Sequence, residues 1–230
     1  MICDTGAYNQ YLPQAQAGNA AAMYNVGLCY LNSDGVEQDM QKAIYWWEKS
    51  AQKDFRLAII ILTNLYSGAG YGMEFSVDDI SIYKNNEKFV KYAIQGDELG
   101  IPYCVYSWGN IYADGIGPVK KDLKSAVLRW MEVTDMDMKS VKGERDRSYS
   151  SSYVCVMKSC INIGRAYLLG GDGMPKNTNE ALQWFKRAAN MGSRRAAGFL
   201  VKLYSDGEYI SVDEEQARYW LDKQSRCSYF

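Results

Sequence analysis

The sequence contains no histidine, and none of its six cysteines belongs to a C-x-x-C pair. Without histidine, Ser-His-Asp catalysis, Cys-His catalysis and histidine-ligated metal sites are excluded. We therefore expect no catalytic residues, no metal site and no cofactor. In a chain without close cysteine pairs, we expect reduced thiols that serve mostly as small core residues.

A strong charge imbalance and long apolar runs are also absent. The 26 basic and 27 acidic residues leave a formal net charge of −1, whereas nucleic-acid-binding domains are usually clearly basic. No apolar run approaches the ~20 residues of a membrane-spanning helix. The N-terminal stretch lacks the basic start and apolar core of a secretory signal. We therefore expect a cytoplasmic protein that binds neither nucleic acid nor a membrane.

Aromatic residues, by contrast, are abundant, with 19 tyrosines and 6 tryptophans. Two tryptophans are adjacent in KAIYWWEKSAQKD, residues 42–54, and similar stretches recur at 180–192 and 216–225, with a looser copy at 125–134. In the two best copies, an alanine is followed by large apolar residues three and four positions later and by a small residue eight positions later. These offsets lie on one stripe of a helix. We therefore interpret Trp46 and Trp47 as core residues rather than as a ligand platform.

A second pattern precedes each of these stretches and is centred on five tyrosines. The tyrosines are Tyr30, Tyr66, Tyr112, Tyr167 and Tyr204. A small residue lies eight positions before each of them and a large apolar residue four positions before. Three positions before them lie Gly27, Thr63, Gly109, Gly164 and Val201. Asp-Gly turn signals follow four of the tyrosines. The pattern predicts repeats of helix A, a turn and helix B, about 36 residues long, with insertions at 68–83 and 135–151.

These motifs resemble the Sel-one-like repeat family, a relative of the tetratricopeptide repeat. The first repeat carries the family pattern in Gly18, Ala22, Val26, Gly27, Tyr30, Gly35, Lys42, Ala43, Trp46, Trp47 and Ala51. Thr63 and Val201 depart from the family glycine, and Phe89 stands where an aromatic residue of helix B is expected. The resemblance implies an all-α, right-handed α-solenoid of about five repeats. It also implies an N-terminal half-repeat cap at 8–17 and a single domain over 1–230.

By the same resemblance, a partner protein would bind in a concave groove lined by helix A of each repeat. The expected partner-binding residues are Tyr24, Leu28, Ile60, Asn64, Tyr103, Tyr106, Asn110, Lys158, Arg165, Arg195 and Lys202. The four cations form two pairs seven residues apart, so the members of each pair share a helix face. One interpretation is a surface for an acidic partner. The alternative is a helix face that is merely solvated.

The resemblance implies three classes of function. Most family members are adaptors or scaffolds, so a non-enzymatic protein-interaction scaffold is the leading hypothesis. Others are immunity proteins beside bacterial toxins, so the close alternative is neutralisation of a toxin domain by direct binding. Some secreted, disulfide-bonded members have been described as weak β-lactam hydrolases, but this chain lacks their regular pair of cysteines in each repeat.

Overall fold

The computed structural model describes residues 6–68, 80–136 and 152–227, and the described elements are helical apart from an isolated β-bridge between Gly171 and Met174. The helices are α1 (Gly6–Gln16), α2 (Ala20–Asn32), α3 (Met40–Ala51), α4 (Arg56–Ser67), α5 (Asn86–Glu98), α6 (Pro102–Asp114), α7 (Leu123–Asp135), α8 (Ser152–Leu169), α9 (Thr178–Asn190), α10 (Arg194–Asp206) and α11 (Glu214–Ser225), with a 3-10 turn at Ile80–Tyr83. The prediction of an all-α chain built from successive helix pairs is confirmed.

These helices belong to two compact units. The described residues up to Trp108, together with 116–118, form the first unit, and Gly109–Gly115 with the described residues from Val119 onward form the second. In each unit a helix packs against its neighbours in the chain, from α1 to α5 in the first and from α7 to α11 in the second. Each unit is therefore a stack of short helical hairpins. The single domain over the whole chain stays a prediction.

Helix A of the five repeats is α2, α4, α6, α8 and α10, and helix B is α3, α5, α7, α9 and α11. Each helix B begins at an aspartate or asparagine that caps it. The side-chain oxygen of the cap accepts a hydrogen bond from the backbone N–H three residues later, at 3.0 Å from Lys42 and 3.1 Å from Glu180. The five caps are Asp39, Asn85, Asp122, Asn177 and Asp213. A cap of this kind satisfies a donor of the first turn that has no partner inside the helix, and it contributes about 1 kcal/mol.

The same five caps attach helix B to helix A. The backbone N–H of each cap donates to the carbonyl oxygen of the tyrosine that marks its repeat, over 2.8 to 3.1 Å. This bond joins Tyr30 to Asp39, nine residues apart, but it joins Tyr66 to Asn85, nineteen apart. The first insertion therefore lengthens the turn of the second repeat without changing where helix B is attached.

A glycine of helix A allows an aromatic ring of helix B to approach its backbone. The three pairs are Gly27–Trp47, Gly109–Trp130 and Gly164–Phe185. A Cβ atom added to Gly27 would lie 2.3 Å from Nε1 of Trp47, closer than two nonbonded atoms can approach. The absence of a side chain therefore decides this packing. Trp47 and Phe185 are fully buried in consequence.

The second repeat distributes its volume differently. Thr63 replaces the glycine of helix A, and Ala93 stands eight residues after its cap, where the first repeat has Trp47. In this repeat the side chain at the glycine position is larger than in the first repeat, and the side chain at the aromatic position is smaller. The expectation for Phe89 was wrong. This residue lies four positions after its cap, in the alanine column, where it is 5% exposed.

The paired aromatic residues of helix B are not equivalent. Trp47 and Phe185 are fully buried, whereas Trp46 and Trp184, one position earlier, are only partly buried. The ammonium nitrogen of Lys49 lies 5.6 Å from the centre of the Trp46 ring. The prediction of core packing is correct for Trp47 and wrong for Trp46, because one residue turns an α-helix by about 100°.

Most of both insertions lies outside the described residues. Of the first insertion, 68–83, the structure describes Gly68 and the 3-10 turn. Of the second, 135–151, it describes Asp135 and Met136. The described ends show that the first insertion falls between helix A and helix B of one repeat and the second between two repeats.

Replacing Phe185 by alanine should lower the free energy of unfolding by about 3–5 kcal/mol, because the change removes a fully buried ring and leaves a cavity. Replacing Trp184 by alanine should cost clearly less, because its ring is partly in solvent. Urea-induced unfolding followed by circular dichroism measures both losses. Equal losses would contradict the packing of helix B described above.

Replacing Gly164 by alanine should cost about 1–3 kcal/mol, because the added methyl group would lie 2.8 Å from the Phe185 ring. In a Phe185→Leu background the same change should cost less, because a leucine side chain can move aside. A double-mutant cycle of unfolding free energies isolates this coupling. Strictly additive effects would show that the ring does not require the glycine.

Candidate functional site

Six of the predicted partner-binding residues lie in the first unit, and they are not equally accessible. The partly buried ones are Tyr24, Leu28, Ile60 and Tyr106. Asn64 and Tyr103 are 0% and 4% exposed, so the expectation that they line an accessible surface was wrong. Every side chain from Ile61 to Tyr66 is buried, so this part of α4 has no exposed face, and Tyr103 is followed by the buried Cys104 and Val105.

The other five predicted residues lie in the second unit. Arg165, Arg195 and Lys202 are exposed, whereas Asn110 and Lys158 are partly buried. The side-chain oxygen of Asn110 accepts a hydrogen bond of 3.2 Å from an asparagine of α8. Burial lowers the pKa of Lys158 to about 8. Three of the four predicted cations therefore present their charge fully to solvent.

Arg165 and Lys202 lie on opposite sides of a cleft between α8 and α10, with a volume of about 230 Å³. Leu168, Phe199 and Leu203 form its apolar wall, and the two leucines are 8% and 3% exposed. The cleft thus joins a buried apolar surface to two cationic groups. Sequence reasoning identified the cations from the helix register but missed the apolar wall.

Phe199 connects the cleft to the core and to the third cation. Its ring stacks on Phe185, with the ring centres 5.0 Å apart and the planes inclined by 22°. The guanidinium carbon of Arg195 lies 5.9 Å from the centre of the Phe199 ring, at the outer limit of a cation–π contact. Arg195, Phe199 and Lys202 therefore follow one another along the same side of α10.

An exposed leucine and an acid also line the cleft. Leu169 is 53% exposed at the end of α8. Asp206 ends α10, and its Oδ1 accepts a hydrogen bond from the backbone N–H of Glu208 at 3.1 Å. Tyr209 also lines the cleft, and a hydrogen bond with Glu208 raises the pKa of its phenol. The cleft therefore combines two cations with one anion.

The three exposed cations have no acidic partner among the residues that the structure describes. Within the part of the chain that the structure describes, Arg165, Arg195 and Lys202 form no ion pair. At α11, by contrast, two exposed arginines pair with acids four residues earlier, at 3.0 and 2.9 Å. Two cations and one acid, Asp206, line the cleft, so its described lining keeps an excess of positive charge.

The equivalent place in the second repeat, within the first unit, is closed. Relative to the marker tyrosines, Asn64 corresponds to Lys202 and Ile61 corresponds to Phe199. Both residues of the first unit are fully buried. A lysine at this position keeps its ammonium group in water, because burying an unpaired charge is costly. The charged residue is therefore compatible with an open cleft and incompatible with the closed packing around Asn64.

Features of other classes of site are absent from the described residues. In that part of the chain, no helix is long and apolar enough to cross a membrane, and no three potential metal-ligating side chains cluster. The buried cysteines are Cys29, Cys104, Cys155 and Cys160. Their burial confirms that most cysteines serve as core residues.

The chain aligns with parts of two larger curated relatives. The chain is 22% identical over 253 residues to chitin synthase regulatory factor 3 of Schizosaccharomyces pombe, covering 96% of this chain and 25% of that protein. It is 32% identical over 116 residues to the ERAD-associated E3 ubiquitin-protein ligase component HRD3B of Arabidopsis thaliana, covering 49% of this chain and 16% of that protein. The chain thus spans a quarter or less of the length of these relatives.

Solved structures share the fold along the chain. A Sel1 repeat protein from Oxalobacter formigenes superposes with a TM-score of 0.70 at 24% identity, covering 95% of this chain and 77% of that one. Immunity protein Pa5087 from Pseudomonas aeruginosa superposes with a TM-score of 0.50 at 17% identity, covering 95% and 72%. Both similarities concern the fold alone, and they confirm the predicted all-α solenoid.

The family model of the Sel1 repeat matches residues 20–55, 102–128, 158–193 and 195–223. These ranges make up more than half of the chain. The unmatched range 56–101 contains the second repeat, in which Thr63 and Ala93 depart from the glycine and aromatic columns. Since the repeats match along most of the remaining chain, this protein belongs to the Sel1 repeat family.

Proposed function

We propose that this protein is a non-enzymatic scaffold that binds an acidic partner protein through the second unit. Sel1 repeat proteins act as protein-interaction scaffolds. The observation that carries the proposal is the set of Arg165, Arg195 and Lys202, which are exposed, have no acidic partner among the described residues and lie beside an apolar cleft.

Charge and apolar surface would contribute differently to such binding. Exposed ion pairs are individually weak, about 0–1 kcal/mol, so three cations alone do not make a tight complex. They raise the rate of encounter with an acidic partner and fix its orientation. Affinity comes mainly from apolar groups that lose contact with water at the centre of an interface. The second unit offers both kinds of group in one place.

Part of the predicted surface in the first unit remains compatible with partner binding. Tyr24, Leu28, Ile60 and Tyr106 keep some exposure, as does Asn110 in the second unit. These residues therefore stay proposed as partner-binding residues, each within its own unit. Asn64 and Tyr103 are left out because their side chains are buried.

An immunity protein that neutralises a toxin is the second candidate. The shared fold with immunity protein Pa5087 supports it, and an acidic toxin domain would suit the same cations. The two candidates differ in what the partner does. A partner that stops growth when expressed alone, and no longer does so when this protein is co-expressed, identifies an immunity function.

Replacing Arg165 and Lys202 together by glutamate should reduce capture of the partner at least tenfold, because both exposed cations become anions facing an acidic surface. The measurement is a quantitative pull-down with tagged protein from cells that carry the gene. A matched control replaces the exposed Lys120 and Lys124 by glutamate, which changes the net charge equally away from the cleft. Equal capture by the two variants, or no stoichiometric partner with the wild type, would contradict the proposal.

Lys158 should make stability depend on pH in the alkaline range. Its pKa is about 8 in the folded protein, against about 10.4 for an unfolded chain. Between these values the unfolded chain binds more protons, so this residue makes the free energy of unfolding rise with pH. The stability of the wild type relative to Lys158→Met should therefore increase from about pH 7 to about pH 9.5 in urea titrations. Lys202→Met, at an exposed site, is the control and should show no such trend.

A further inference from the structure

The cleft between α8 and α10 is too small for an ordinary small-molecule ligand. Pockets for small molecules usually measure about 300–1,000 Å³, whereas this cleft measures about 230 Å³. Interfaces between proteins, by contrast, commonly centre on one large side chain that enters a fitted depression. The size of the cleft therefore favours a single side chain of a partner.

The lining of the cleft favours an apolar side chain. Leu168 and Leu203 are nearly buried and provide a wall that is already formed. Phe199 is held in place by stacking on Phe185, so the wall requires little ordering on binding. Leu169 is 53% exposed beside it and would lose most of its contact with water when the cleft is filled. Filling the cleft is thus favourable because it removes apolar surface from water.

The charges around the cleft determine which partner residues are favoured on either side of the inserted apolar side chain. Arg165 and Lys202 line the cleft, and Arg195 continues the positive surface toward the start of α10. Asp206 lies about one helical turn beyond Lys202, at the C-terminal end of α10, whereas Arg195 lies near its start. Carboxylates of a partner are therefore attracted toward the side of Arg195 and repelled from the side of Asp206.

We propose that the cleft receives one large apolar side chain from an acidic segment of the partner protein, with Arg165 and Lys202 binding the flanking carboxylates. This inference rests on the proposed function and specifies the chemistry of the bound segment. The acidic residues lie toward Arg195, and the segment leaves the cleft past Asp206 with uncharged residues.

The probe is a fluorescein-labelled pentapeptide with phenylalanine at its centre, two aspartates on one side of it and two glycines on the other. Two control peptides replace the phenylalanine by serine or all the aspartates by lysine. Fluorescence anisotropy titrations should give saturable binding of the first peptide. The serine peptide should bind roughly tenfold or more weakly, because burial of a phenylalanine contributes at least this factor. The lysine peptide should not bind.

Variants of the protein test the same contacts from the other side. Leu169→Ser should weaken binding of the phenylalanine peptide about three- to tenfold, whereas Leu128→Ser, at a similarly exposed leucine of α7, should leave it unchanged. Arg165→Gln with Lys202→Gln should weaken binding about tenfold or more, and Lys120→Gln with Lys124→Gln should change it little. Asp206→Asn should strengthen binding a few fold, because it removes a like charge while keeping the oxygen that accepts from Glu208.

Four results would overturn the inference. Equal binding of the phenylalanine and serine peptides would mean that only charge is recognised, and the proposed scaffold function would survive it. No saturable binding of any peptide would remove the cleft as an anchor, while the pull-down would still decide the proposed function. Tighter binding of a single-stranded oligonucleotide of equal charge would identify a different occupant. Self-association in sedimentation experiments that Leu169→Ser abolishes would identify a second copy of this chain.

Discussion

The contact between a glycine of helix A and an aromatic ring of helix B is the interaction on which the repeats depend. Where the glycine is present, the ring of Trp47 or Phe185 lies directly against the backbone of the neighbouring helix. The interior of a protein is closely packed, so a change of one methyl group at this point must be matched by a change opposite to it. The second repeat illustrates this with Thr63 in one column and Ala93 in the other.

A backbone–backbone hydrogen bond fixes where each helix B starts. The carbonyl oxygen of each marker tyrosine accepts from the N–H of the cap that begins the next helix. This bond is found with turns of different length, as in Tyr66 and Asn85. The two ends of the turn are held together by this bond, so helix B is attached at the equivalent place in both repeats. The cost in loop entropy grows only slowly with length.

The two units use equivalent positions for different purposes. In the first unit Asn64 is fully buried in α4, and the position adds to the core. In the second unit Lys202 keeps its charge in water beside a cleft. The scaffold of helix pairs is the same in both, so the difference in surface arises from a few side chains. One repeat architecture thus presents an open, charged cleft in one repeat and a closed core in another.

The sequence by itself determined the helix pairs, the marker tyrosines and the family. These features repeat at regular spacing, and each depends on local chemistry that a single repeat already contains. The sequence also indicated the caps at Asp39 and Asn177, because each stands four residues before the alanine that begins the helix B pattern, Ala43 or Ala181. That signal was overlooked.

The tertiary structure alone decided which residues are accessible. The register predicted that Asn64 and Lys202 would be equally exposed, because it assumes one buried and one free face for every helix A. Burial depends instead on every helix that packs around a position, and α4 packs against both α3 of the preceding repeat and α5 of its own. For the same reason, the apolar wall at Phe199 follows from packing between repeats, because the Phe199 ring stacks on Phe185 of the preceding helix B.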